Sequence, residues 1–188
     1  MYTSMGLDNR KMAFWAFIGS ECLLFGSLIS TYLIYQGRSL SGPTPGEILD
    51  IPVTSVSTFD LLMSSLWMVL ALAAVQRGDM RWAKVWLFGV VVGGAIFIGF
   101  QIYEFTSFVR AGLTLQTNLF GATFFVLTGT HGAHVAVGVL WIFTLWVRAL
   151  QGKLGSEHAM TVEIAGLYWH FVDVVWIVIF TFVYLLHK

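Results

Sequence analysis

The chain has 188 residues, of which 57% are hydrophobic and only 11% carry a charge. A soluble domain has roughly 45–50% apolar and roughly 25% charged residues, so this composition excludes an ordinary soluble domain, a disordered chain and a nucleic-acid binder. Ten Lys and Arg balance ten Asp and Glu. The single cysteine, Cys22, excludes a disulfide framework within the chain.

Five long apolar stretches take up most of the sequence. About 20 helical residues cross the roughly 30 Å hydrocarbon core of a bilayer. The stretches are too long and too continuously apolar for barrel strands, which alternate in polarity. The sequence therefore predicts an all-α membrane protein, a five-helix transmembrane bundle forming one domain over residues 1–188. The predicted spans are 13–35, 57–76, 85–109, 118–146 and 162–186.

The segments between the spans hold the turn formers and most charges. All three prolines, Pro43, Pro45 and Pro52, fall in the predicted first loop. The first span is too long for the apolar region of a secretory signal and lacks a small-residue cleavage site, so we expect it to be retained.

The distribution of Lys and Arg predicts the orientation in the membrane. The N-terminus, second loop and fourth loop lie on one side and hold most of the basic residues, so we expect a cytoplasmic N-terminus and a C-terminus outside. The basic residues of that side are Arg10, Lys11, Arg77, Arg81, Lys84, Arg148 and Lys153, against Arg38, Arg110 and Lys188 on the other.

Glu21 lies about two turns into the first span. A charged side chain at the bilayer centre costs roughly 2.5–3.5 kcal/mol. Its own span has no basic side chain and offers hydroxyls such as those of Ser20, Ser27 and Ser30, so Glu21 is either protonated or paired with a residue on another helix. Two interpretations stay open: a proton relay or ion site, and a protonated hydrogen bond that joins two helices.

Further acidic and amide side chains lie near the ends of predicted spans. Asp60 follows Ser57 by three residues, a spacing typical of a capping box at a helix start. Glu163 begins the fifth span in a similar way. Gln101 and Glu104 are three residues apart near the end of the third span, which favours solvation at the interface or a hydrogen bond between helices.

Histidines three residues from another polar residue occur in the last two spans. His131 and His134 share a face of the fourth span, and His170 and Asp173 share a face of the fifth. A metal or haem site is one interpretation, but such a site needs three or four ligands with further supporting side chains. A structural network is favoured, with Asp173 as the partner of a buried His or Trp N–H.

Small residues predict close helix packing, either within the bundle or against a partner subunit. They are Gly89, Gly93, Gly94, Gly99, Gly129, Gly132 and Gly138.

Four strings of residues together carry a family resemblance. They are GSECLLFG in the first span, GFQIYEF at the end of the third, FFVLTGTHGAHVAVG at 124–138 and YWHFVDVVW at 168–176. In this order they resemble subunit III of the haem–copper respiratory oxidases, the cytochrome c oxidase subunit III family. The mitochondrial type has seven helices, and this chain is similar to the five-helix bacterial form, which lacks the N-terminal pair.

The resemblance implies a non-catalytic subunit of a proton-pumping terminal oxidase in the bacterial plasma membrane. It implies direct packing on subunit I, with subunit II in the same complex, and haem and copper held by partner subunits. No metal and no catalytic residue are expected on this chain. Phospholipid binding and support of proton uptake are family properties, although the missing helix pair removes one wall of the family's lipid cleft.

The resemblance also assigns roles to particular residues. Glu21 matches the buried family carboxylate, and Lys11 and Arg148 match basic residues near lipid headgroups. The expected interhelical polar network comprises His131, His134, Glu163, His170, Asp173, Gln101 and Glu104.

Three alternatives remain open at this point. The first is subunit III of a quinol oxidase or of a nitric-oxide-reductase-associated homologue, because other subunits select the electron donor. The second is a membrane metalloenzyme or haem protein that uses His131, His134 and His170. The third is a small transporter with Glu21 as its coupling carboxylate.

Overall fold

The computed structural model describes residues 8–38 and 51–186. Within these ranges the chain forms five helices that are each long and apolar enough to cross a membrane, which confirms the predicted all-α architecture. The loop residues Pro43 and Pro45 and the terminal Lys188 lie outside the described residues. The helices are α1 Asn9–Tyr35, α2 Ile51–Gln76, α3 Met80–Arg110, α4 Leu119–Leu150 and α5 Ala159–Phe180, with a 3-10 turn Ser156–His158 before α5 and a π-helical turn Thr181–Leu185 after it.

The first and third helices begin four to five residues before the predicted spans because polar side chains cap them. Asp8 accepts a hydrogen bond from the backbone N–H of Arg10 at 2.9 Å. Asp79 accepts one from the N–H of Trp82 at 3.3 Å. Such caps satisfy backbone donors that the first helical turn leaves unpaired. Apolar runs therefore locate the membrane-facing part of each helix, whereas the caps locate its first residue.

The start of α2 corrects two sequence predictions. The helix begins at Ile51, so Asp60 lies in its third turn and is not part of a capping box. The Ser57 hydroxyl donates instead to the carbonyl of Thr54 at 2.9 Å. Pro52 belongs to the first turn of the helix rather than to a loop, a position where a missing N–H costs nothing.

Helix α5 is the centre of the bundle. It packs on α2, α4 and α1, while α3 closes the far side through extensive packing on α2 and α4. Close packing between α1 and α2 is missing in the described part, so α5 is left uncovered there along Val174 and Ile177. The core is mostly aromatic and aliphatic, with Trp169 fully buried at its middle.

Two glycines let α3 and α4 approach Trp169 closely, as the small-residue pattern predicts. A Cβ added at Gly94 would lie 2.6 Å from the indole, and one added at Gly138 would lie 2.9 Å from it. Both distances are too short for van der Waals contact. Gly99, by contrast, has open space around it.

Candidate functional site

Glu21 on α1 is paired with His134 on α4. Oε2 of Glu21 lies 3.1 Å from Nε2 of His134. Nδ1 of the same histidine lies 2.8 Å from the carbonyl oxygen of Thr130, which can only accept, so Nδ1 is the donor there. The contact between Glu21 and Nε2 therefore holds one proton, either as carboxylic acid and neutral imidazole or as carboxylate and imidazolium. Both arrangements have zero net charge.

The pair is tied to α5 and borders a groove. The hydroxyl of Tyr168 donates to the carbonyl of His134 at 3.0 Å, so three helices meet here. The groove measures about 520 Å³, is open on one side, and has largely aromatic walls contributed by α1, α4 and α5. Its lining residues are Phe14, Phe17, Glu21, Ala133, His134, Val137, Trp141 and Tyr168.

His131 does not share the environment of His134, although the two residues are three apart on α4. Its ring is completely buried and stacks on Trp176 with a centroid distance of 4.8 Å. Phe97 contacts the ring edge-on at 5.8 Å. Neither ring nitrogen has a hydrogen-bond partner among the described residues. His131 thus packs as a neutral aromatic ring in the core.

Hydroxyl groups of α2 accept or donate hydrogen bonds along the α2–α5 contact. Ser65 Oγ lies 2.6 Å from His170 Nδ1. The indole N–H of Trp169 donates to Ser64 Oγ at 3.0 Å. In the next turns, Trp176 donates to Thr58 at 2.9 Å. The sequence interpretation assigned none of these roles to α2. The spacing of Thr54, Thr58, Leu61 and Ser65 nevertheless places these three hydroxyl residues and one leucine on a single face of the helix.

The predicted role of Asp173 is wrong. It is 3% exposed, yet neither carboxyl oxygen has a hydrogen bond of good geometry within the described part of the chain. It lies beside the Ser65 hydroxyl, which is bonded to His170. The indole donors of Trp169 and Trp176 reach α2 hydroxyls instead, because these face them directly across the contact.

Gln101 and Glu104 join helices rather than facing solvent. The Gln101 amide donates to the carbonyl of Thr128 on α4 at 2.7 Å. Glu104 accepts from Thr54 on α2 at 2.7 Å and from Tyr184 after α5 at 3.1 Å. The sequence-based option of a hydrogen bond between helices is the one that the structure adopts for both.

Lys11 and Glu163 form an ion pair between α1 and α5. Nζ lies 2.5 Å from Oε1, and both side chains are about one-third exposed (32% and 29%). Because α5 begins at Ala159, Glu163 lies beyond its first turn and bonds to another helix. Arg148 is exposed in the last turn of α4.

The described residues contain no group of three or more His, Cys, Asp or Glu side chains placed to hold a metal ion. His131, His134 and His170 face different neighbours: the aromatic core, Glu21 and Ser65. A metal or haem site built on these three histidines therefore does not fit the arrangement. The polar side chains of the bundle are used mainly to connect helices.

This combination of five membrane-spanning helices and interhelical hydrogen bonds defines a polytopic membrane protein without a metal-binding group in its described part. A sequence model of cytochrome c oxidase subunit III matches residues 2–188. The chain belongs to that family, and its respiratory role as a subunit III of haem–copper oxidases follows from this membership.

The curated relatives include subunits of oxidases with two kinds of electron donor. Cytochrome c oxidase subunit 3 of Bacillus sp. (strain PS3) is 42% identical over 178 residues, covering 95% of this chain and 86% of the relative. Quinol oxidase subunit 3 of Bacillus spizizenii is 38% identical over 175 residues, covering 93% and 86%. Cytochrome c oxidase subunit 3 of Alkalihalophilus pseudofirmus is 39% identical over 179 residues, covering 95% and 87%.

Proposed function

We propose that this chain is the non-catalytic subunit III of a proton-pumping terminal oxidase in a bacterial plasma membrane. It packs directly on subunit I, in a complex that also contains subunit II, and it stabilises the catalytic core and supports proton uptake. Haem and copper belong to the partner subunits. The whole chain acts as one membrane domain, with its N-terminus in the cytoplasm and its C-terminus outside.

The proposal is supported by the hydrogen bonds of the polar residues that match the family. Glu21 and His134 bond to each other, His170 bonds to Ser65, and Gln101 bonds to a carbonyl of α4. Residues occupied in this way hold helices together, which is the role expected of a supporting subunit. Glu104 and Glu163 support the same role, since each bonds to another helix, whereas His131 and Asp173 are buried members of the predicted network without a hydrogen bond among the described residues.

We further propose that Lys11 and Arg148 lie at the level of lipid headgroups. Both are on the side predicted to be cytoplasmic, and Arg148 is exposed at the end of α4. The two residues differ in their protein contacts: Lys11 forms an ion pair with Glu163. Arg148 is therefore the better candidate for a direct contact with a phospholipid phosphate.

Purification through a tag on this chain in a mild detergent tests the proposal. We expect larger haem-containing subunits to co-purify, and we expect the chain stripped of them to show no haem absorption. A chain that retains haem or stoichiometric metal after separation would contradict the proposal. Transport activity of the chain alone in liposomes would favour the transporter alternative, in which Glu21 is the coupling carboxylate.

A quinol oxidase is the second candidate complex, since a quinol oxidase subunit is among the relatives at 38% identity. The co-purified complex distinguishes the two donors directly. Oxygen consumption with reduced cytochrome c indicates a cytochrome c oxidase, and consumption only with a quinol indicates a quinol oxidase.

A further inference from the structure

The groove beside Glu21 has the size and lining of a small-ligand site. It measures about 520 Å³, within the range of about 300–1,000 Å³ that is typical of such sites. The ring centroids of Phe14 and Trp141 are 6.1 Å apart, and those of Trp141 and Tyr168 are 5.8 Å apart. Aromatic side chains of three helices therefore meet in one wall, and flat apolar ligands pack well against such a wall.

The polar end of the groove lies deep in the membrane. Glu21 follows Lys11 by about 15 Å along α1, which is roughly half of the hydrocarbon thickness. The described lining residues include no Lys or Arg. Lipid headgroups do not reach this depth, so a ligand of this groove carries its polar group on an apolar body.

One carboxyl oxygen of Glu21 is free to bind a ligand. Oε2 shares the single proton of the pair with Nε2 of His134. No described residue bonds to Oε1, and this atom is not fully enclosed. Because the proton lies between Oε2 and Nε2 in both arrangements of the pair, Oε1 carries no hydrogen and can only accept. A ligand that bonds to it must therefore be a donor.

The need for a donor excludes several groups that are common in a bilayer. Acyl chains form no hydrogen bonds, and ester carbonyls only accept them. A quinone also fails, because both of its ring oxygens are carbonyls. A quinol meets every requirement, since its ring is flat and apolar and its hydroxyl groups donate.

We propose that the groove binds a quinol, with one ring hydroxyl donating to Oε1 of Glu21 and the ring packed against the aromatic wall. The tail of the quinol leaves through the open side of the groove into the bilayer. The proposal concerns binding and release alone, without electron transfer in the groove. It deepens the proposed function and rests on it, since a site for a membrane electron donor belongs in a respiratory complex.

Photoaffinity labelling of the purified complex tests the proposal. The probe is a benzoquinol with a diazirine on a short alkyl tail, used in the absence of oxygen, and the matching quinone tests the need for a donor. We expect the quinol to label peptides of α1 or α4, and the quinone to label them several-fold less. Equal labelling by the two forms, or no labelling of these helices, overturns the proposal.

Variants separate the groove from the rest of the membrane-facing surface. Ala133 is exposed on the groove wall, so Ala133→Phe fills the groove without disturbing the core and should lower quinol labelling several-fold. Val126→Phe is the matched control, at an exposed position of the same helix outside the groove, and should leave labelling unchanged. Glu21→Leu should lower labelling as Ala133→Phe does, whereas Glu21→Gln keeps an accepting oxygen and should retain it.

The outcomes distinguish the two proposals. Labelling that survives Ala133→Phe, or that Glu21→Leu leaves unchanged, overturns the quinol site while the proposed function stands. Suppression of labelling by added phospholipid, equally for quinol and quinone, assigns the groove to acyl chains and also overturns the quinol site. Absence of co-purifying haem-containing subunits contradicts the proposed function itself.

Discussion

His134 lies 3.1 Å from Glu21 through Nε2 while Nδ1 donates to the carbonyl of Thr130, so the pair holds a single proton between α1 and α4. The side chain of His134 is 20% exposed and that of Glu21 is 14% exposed, so the protein covers most of both. The net charge of the pair is zero in either arrangement, so a carboxyl group can be placed in the hydrocarbon layer without an uncompensated charge. It also connects α1 to the bundle, and α1 has the smallest share of buried residues of the five helices.

Replacing Glu21 by glutamine should preserve this connection. The side-chain NH₂ of glutamine donates to a bare Nε2 of His134, so we expect Glu21→Gln to assemble and to melt close to the wild type. Glu21→Ala leaves Nε2 without its partner and should lower the stability by about 1–3 kcal/mol. Thermal melting of the detergent-solubilised complex, followed by loss of co-purification, measures both.

The outcome also distinguishes the two protonation arrangements of the pair. Glu157→Gln is the matched control, since Glu157 is largely exposed on the turn before α5. If Glu21→Gln is as unstable as Glu21→Ala while the control is unaffected, the pair is an imidazolium with a carboxylate, and the neutral hydrogen bond is excluded.

The contacts of Trp169 make two glycines sensitive to a single added methyl group. Gly94→Ala and Gly138→Ala each place a Cβ within 3 Å of the buried indole, so either variant should lose about 1–3 kcal/mol through overpacking. Gly99→Ala is the control and should be neutral or slightly stabilising, because nothing lies within 4 Å of its Cβ. Heat-induced aggregation of the purified complex reports the difference.

A second variant identifies the indole as the cause. Phenylalanine lacks the second ring that meets Gly138, so Trp169→Phe should cost less in the Gly138→Ala background than in the wild type. Simple additivity of the two substitutions would show that Gly138→Ala acts through another contact, such as Tyr168, whose ring lies 3.1 Å from the added Cβ.

The sequence predicts depth in the bundle much better than it predicts partners. Hydropathy alone locates all five helices, because each must satisfy its backbone in lipid. Position along a span also places Glu21 and His134 within the membrane. It does not give the rotation of one helix relative to another, and 113 residues separate these two partners. Their pairing could therefore be proposed as one of several options only.

The same limit explains the errors at Asp60 and Asp173. Asp60 has cap-like spacing to Ser57, but α2 begins at Ile51, before the predicted start of its span at residue 57, which moves Asp60 into the helix interior. Asp173 has Trp169 and Trp176 on its own helix face, but each indole reaches across to α2. Local spacing describes neighbours on one helix, whereas packing between helices decides which of them bond.

The ion pair between Lys11 and Glu163 should contribute only modestly to stability. Both side chains are about one-third exposed, and pairs of this kind contribute about 0.2–1 kcal/mol after solvent screening. A double-mutant cycle with Lys11→Met and Glu163→Gln measures the coupling free energy, which should shrink at high salt. Arg148→Met is the control and should show no coupling to Glu163→Gln. A coupling well above this range would indicate that other subunits bury the pair.

Removal of the Asp173 carboxyl should not weaken the bundle, contrary to the expectation from sequence. A buried carboxyl without a good hydrogen bond carries a desolvation cost and returns little, so an apolar side chain of similar size removes a penalty. We expect Asp173→Val to melt at or above the wild-type temperature, with a gain of up to about 1 kcal/mol. Asp173→Asn keeps the polar group and should gain nothing. A loss of stability in Asp173→Val would mean that the contact between the carboxyl and the Ser65 hydroxyl outweighs the desolvation cost.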